Sequence, residues 1–219
     1  ALAGAGVLLG AHFALFLAGL LTTSLPAAAA LVSLEPVAVV LAAWIAFGVR
    51  PSGREAGGIA LATAGALVVA RGAGAGEHTL AGDALVLGAV VLFGAYVAFA
   101  RGLRDTMPAR PYAAYVYGVA ALVQLPLVLL LDRHLGAVPA ATWAGVAALG
   151  LVPTLVGHTL TQRAARRLSP SLVALVSPGE TVGAILIGTA TGRAPTAVEW
   201  TGAAVIVLGT VVTVSGGRA

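Results

Sequence analysis

Apolar runs long enough to cross a bilayer follow one another along the whole chain, each closed by an Arg-bearing or Gly/Pro-rich break. A hydrocarbon core about 30 Å thick takes about 20 apolar residues per helix, and on that ruler the chain divides into eight expected spans. Their limits are 2–22, 26–47, 56–71, 82–100, 111–131, 142–162, 170–190 and 198–215. A closed β-barrel is the other structure that satisfies its backbone in lipid, but its strands alternate apolar and polar residues and these runs do not. With 59% hydrophobic and 9% charged residues, there is also too little polar surface for a soluble globule. The expected fold class is an all-α integral membrane protein.

The breaks carry an orientation. Arg50, Arg54, Arg101, Arg104, Arg110, Arg163, Arg166, Arg167 and Arg218 fall on one side of an eight-span alternation, and only Arg71, Arg133 and Arg193 on the other. Basic loops are cytoplasmic, so the C-terminus is expected in the cytoplasm. The same rule accounts for the net charge of +4, and no nucleic-acid partner is expected. Trp44, Trp143 and Trp200 fall near span ends, as interfacial aromatics do. All 12 basic residues are Arg, which points to GC-rich bacterial coding. Cysteine is absent, which excludes disulfides, thiolate metal sites and a thiol nucleophile.

A repeat runs through the spans. Residues 50–72 lie on 194–216 with an offset of 144, pairing Pro51 with Pro195, Glu55 with Glu199, and Gly58, Gly65 and Gly72 with Gly202, Gly209 and Gly216. Upstream, LVS at 31–33 pairs with LVS at 175–177, Glu35 with Glu180, and His12 with His158 after small adjustments. The expected organisation is residues 1–72 as the last three helices of one unit, 73–81 as a linker containing the GAGAG run, and 82–219 as a complete second five-helix unit. About 60 residues carrying the first two helices of a ten-helix, five-plus-five protein would then precede Ala1. Five being odd, the second copy enters the membrane from the opposite face. Inverted repeats of this kind mark secondary transporters with a midplane substrate site.

Ionisable groups inside a membrane are costly and usually face a cavity or a partner. Four lie deep within spans: His12, Glu35, His158 and Glu180. They are expected to line a cavity, with the histidines toward opposite membrane faces. Pro36, Pro178 and Pro153 would strand the carbonyls of Val32, Ala174 and Leu149, with Ser33 and Ser177 as candidate partners beside the first two. Each glutamate has two readings, a proton carrier or a permanent hydrogen-bonding tie between helices. His158 shares a face with Thr154, Thr161 and Gln162, a candidate cavity lining, whereas His12, beside Phe13 and Phe16, reads as a packed, hydrogen-bonded side chain. Tyr96, Tyr117 and Gln124 are further candidates for substrate contact, with interhelical hydrogen bonding as their alternative. Neither a metal site nor a cofactor site nor a catalytic signature is found in the sequence.

The segments GAHFALFLAGLLTTSLPAAAALVSLEPVAVVLAAW (10–44) and LVPTLVGHTLTQRAARRLSPSLVALVSPGETVGAIL (151–186) resemble the two repeats of the EamA family of the drug/metabolite transporter superfamily. That resemblance implies ten helices and alternating-access movement of small metabolites, commonly outward across the bacterial inner membrane. By position it implicates Glu35, Pro36, Gly179 and Glu180, with His12 and His158. Thr181 stands where the second motif usually has proline, and Pro178 precedes the acid, so the break in that helix is expected about one turn earlier. Val49 and Arg193 replace a usual helix-end glutamate. The partners expected are a small uncharged or amphipathic solute, the lipid bilayer and, through the glutamates, protons. An intramembrane enzyme or a non-transporting scaffold would instead show, respectively, converging ionisable groups or a filled interior.

Overall fold

A computed structural model of the chain describes residues 2–72, 79–103, 107–131, 139–190, 192 and 195–216. Arg104, Arg133, Arg193, Arg218 and residues 73–78 of the linker lie outside these. The regular elements of the described residues are all helices: α1 (Leu2–Leu20), α2 (Leu25–Val32), α3 (Glu35–Phe47), α4 (Gly53–Gly72), α5 (Leu80–Gly102) and α6 (Ala109–Leu131) come first. They are followed by α7 (Ala140–Leu149), a π-helical segment (Gly150–His158), α8 (Thr159–Ala165), α9 (Pro170–Ala174), α10 (Val176–Ala190) and α11 (Ala197–Gly216). Seven of the resulting rods are long and apolar enough to cross a membrane, among them Ala27–Phe47, Ala140–Ala165 and Pro170–Ala190 as continuous spans. The eighth expected span is present as α4, whose Arg54, Glu55, Arg71 and glycines keep it below that apolar threshold.

Two spans break where prolines follow. The Ser33 hydroxyl donates to the carbonyls of Ala29 and Ala30 at 2.9 and 2.8 Å and ends α2. Glu35 and Pro36 then open α3, where a missing N–H costs nothing because the first turn has no intrahelical acceptor for it. Pro36 therefore restarts a helix rather than kinking one from within, and the carbonyls that Ser33 satisfies are not that of Val32. The matching break falls at Leu175, ahead of Pro178 in the first turn of α10. This agrees with the earlier position expected from the displaced proline. In the third case Pro153 does free the Leu149 carbonyl, and the Thr154 hydroxyl donates to it at 3.0 Å.

Helices α4 and α11 form the most extensive helix pair. A Cβ on Gly58 would sit 2.7 Å from the carbonyl of Gly209, and one on Gly209 would sit 2.6 Å from that of Gly58. Gly65 and Gly202 stand in the same relation at 2.8 and 2.7 Å. Low residues of one helix meet high residues of the other, so the two run antiparallel, with backbones too close for any side chain at the crossing points. Both helices begin on reciprocal capping boxes. Ser52 and Glu55 exchange bonds of 2.8 and 3.2 Å, and Thr196 and Glu199 exchange bonds of 2.7 and 3.2 Å. Glu55 and Glu199, matched by the repeat, are thus helix caps.

The larger core cluster lies toward the Arg-rich end. Leu9 of α1, Val39 of α3, Tyr96 and Ala100 of α5, Tyr112 and Val116 of α6, and Ala165 of α8 are all at most 2% exposed and belong to one cluster. Across that end Arg101 donates to the Leu168 carbonyl at 2.7 Å, and Arg166 donates to the Met107 carbonyl with its guanidinium 5.4 Å from the Tyr112 ring. Helix α7 and the π-helical segment, by contrast, contain no buried residue.

Candidate functional site

Between α1, α3, α5, the π-helical segment and α10 lies a cavity of about 610 Å³, within the range of small-molecule sites. His12, Glu35, His158 and Glu180 all line it. The Glu35 carboxyl is brought there by the helix break, as the first residue of α3, and is 7% exposed. The Ser177 hydroxyl faces it from the start of α10, and Glu180 approaches from one turn further on. Glu180 is itself exposed, on the cavity side. No Lys or Arg is among the lining residues.

The histidines do not lie toward opposite faces as expected. Both pack on the same two rings: His12 lies 5.2 Å from Phe13 and 5.4 Å from Phe93, and His158 lies 5.3 Å from Phe13 and 6.2 Å from Phe93. The expected levels rested on distance from the span ends, and the span carrying His158 runs on to Ala165. His12 Nδ1 lies 2.9 Å from the Ala89 carbonyl. A carbonyl can only accept, so Nδ1 carries the proton, and Nε2 of the neutral ring is left as an acceptor. His12 is therefore both packed and cavity-lining. Although the four ionisable groups share one cavity, no group of three His, Asp or Glu among the described residues could hold a metal ion.

The other candidates divide. Tyr96 is fully buried just below the cavity, its ring 6.3 Å from that of His158, and Gln162, 1% exposed, lies beside it. Thr161 lines the cavity while donating to the Gly157 carbonyl at 3.1 Å. Tyr117 lies instead in a separate pocket with Arg110 and Arg163, where it is hydrogen-bonded to Thr159 at 3.1 Å. That favours the interhelical role for it. Gln124 is half-buried on α6 and lines neither pocket, Pro36 is packed out of sight, and Gly179 is exposed beside Glu180. Sequence reasoning passed over Phe93, the ring shared by both histidines. Its only local signal is its place one turn before Tyr96.

Three partly buried phenylalanines, two carboxyl side chains and helices interrupted near three prolines thus bound the cavity. The description of the EamA-like transporter family matches residues 80–215, from the start of α5 nearly to the end of α11. A curated relative, the probable terminal-alkyne amino-acid exporter of Streptantibioticus cattleyicolor, is 30% identical over 142 residues, which are 65% of this chain and 48% of that protein. The chain thus spans about half the length of the relative it matches. A protein of known crystal structure superposes with a TM-score of 0.82 at 24% identity, covering 99% of this chain and 76% of the other, and attests the fold.

Proposed function

The chain belongs to the EamA-like transporter family, and on that premise we propose that it is the larger part of a secondary transporter that moves small metabolites outward across a bacterial inner membrane by alternating access. The observation that carries this reading is the single chamber in which both repeat-related pairs, His12 with His158 and Glu35 with Glu180, meet at an aromatic floor. Its volume suits a solute of amino-acid size. The exporter similarity directs attention to small apolar amino acids, whose ammonium group would be attracted to a lining that has carboxylates and no cations. Membership of this family sets the chain among transporters rather than enzymes.

The inverted ten-helix architecture is part of the proposal, and the α4/α11 interface supports it. Under the offset of 144, Gly58 touching Gly209 and Gly65 touching Gly202 are one contact made twice, the reciprocity a two-fold axis produces. Antiparallel helices related by a two-fold have that axis perpendicular to their length, hence in the membrane plane. Packing asymmetry supports two further helices: α1 is sandwiched by α5 and α6, whereas among the described residues its repeat mate, α7 to α8, has no comparable pair of helices on its α7 side. The family match beginning at residue 80 agrees with a unit starting near 82. With the Arg-rich end cytoplasmic, the conformation described is closed inward.

Full-length protein in liposomes, loaded with a panel of apolar, aromatic and alkynyl amino acids, tests the reading. Saturable flux of at least one of them, lost when Glu35 and Glu180 are both changed to Gln, is expected. Flux no greater than in protein-free vesicles across the panel overturns it.

A further inference from the structure

Below the cavity floor lie polar groups with no protein partner. The hydroxyls of Tyr96 and Tyr112 and both amide atoms of Gln162 have no hydrogen-bond partner among the described residues, and these residues are 0%, 0% and 1% exposed. Tyr96 and Gln162 are neighbours, but that proximity does not reach hydrogen-bond geometry, and one bond would in any case leave most of the amide's capacity unused. A buried polar group without a partner is destabilising, and the isosteric apolar side chain would avoid the cost. Three together, in a chain that is 59% hydrophobic, ask for another state in which they are used.

Their placement shows which state. Phe93 and His158 line the cavity. One turn on along the same helices come Tyr96 and Gln162, and Tyr112 follows under the Arg166 guanidinium. The three residues form a file from the chamber to the Arg-rich end. We propose that Tyr96, Gln162 and Tyr112 are the inner stretch of the transport route: shut in this conformation, they take the hydrogen-bonding head of the solute, and water, when the Arg-rich end opens. This rests on the transport reading above. It assigns these residues a solute-contacting role distinct from that of the chamber, selective for solutes with donors and acceptors over purely hydrocarbon cations.

The test uses full-length protein carrying Tyr96→Phe, Tyr112→Phe or Gln162→Leu. Because no described protein group is bonded to them in the closed form, thermal stability in detergent is expected to hold or rise. Flux should nonetheless fall by about tenfold in Gln162→Leu, the size of one lost polar interaction in the route. A second readout needs no substrate: with no native cysteine, a single Ala165→Cys in the same buried cluster as Tyr96 and Tyr112 reports opening through its reaction with a small thiol reagent added at the Arg-rich side. Gln162→Leu is expected to slow that reaction by a similar factor. A lowered melting temperature, or unchanged flux together with unchanged labelling, overturns the proposal. Slowed labelling in a protein that shows no flux at all supports the opening role and overturns the transport reading alone.

Discussion

Glu35 and Glu180 are repeat mates in one cavity, yet their settings differ enough to give them different jobs. Glu35 is enclosed at a helix start with Ser177 beside it, whereas Glu180 faces the open chamber. An enclosed carboxyl is the better proton carrier and an accessible one the better solute contact. Glu35→Gln, which keeps shape and hydrogen bonding, is expected to leave flux indifferent to an imposed pH gradient in full-length proteoliposomes, with little change in half-saturation. Glu180→Gln should instead raise half-saturation for amine-bearing solutes about tenfold, the worth of one charge-assisted hydrogen bond. The four ionisable groups were legible in the sequence because charge within a span is conspicuous. Their company was not. Which ring a histidine meets depends on helix rotation and on partners far along the chain, so Phe93, serving both histidines, carries only the weak local signal of standing one turn before Tyr96.

The helices themselves were readable to within a few residues, since apolar length and breaker residues fix them locally. Two features escaped. Glu55 and Glu199 stood out as repeat mates, but their S-x-x-E and T-x-x-E settings as helix caps went unread. The π-helical Gly150–His158 arises from Pro153 and the Thr154 bond to Leu149, a competition between backbone and hydroxyl that span counting does not weigh. The glycines of α4 and α11, matched in the sequence by the repeat, meet in the structure as one close-packed interface, which yields an internally controlled prediction. Gly65→Val places its Cβ 2.7 Å from the Ile206 amide nitrogen and 2.8 Å from the Gly202 carbonyl, while Gly57→Val on the same helix meets nothing within 4 Å. The former should cost about 3 kcal/mol or more, because backbone cannot yield as a side chain can, and should appear as lost monodisperse protein and a lowered melting temperature. The latter should be close to neutral.

At the scale of the molecule, inversion of the two copies supplies a way to offer one chamber alternately to both sides. Rocking two oppositely inserted copies about a shared site exchanges their roles and so turns one facing into the other. Copies related by an axis along the membrane normal would place each repeat-matched pair at the same depth and on the same side. Copies related by an axis in the plane would place the pair on opposite sides. Gly53 and Ala197 are such a pair, separated by the offset of 144, both exposed, and each the first residue of its helix, α4 or α11. A chain without native cysteine lets each be replaced singly. In intact cells a membrane-impermeant maleimide is expected to label Ala197→Cys and to leave Gly53→Cys unreacted until the membrane is opened. Labelling of both from outside, or of neither, would mean that α4 and α11 start on the same side of the membrane, which the antiparallel meeting of Gly58 with Gly209 and of Gly65 with Gly202 does not allow in a pair of spanning helices. Labelling reversed between the two would keep the inversion and turn the whole molecule over, moving the closed, Arg-rich end to the outside.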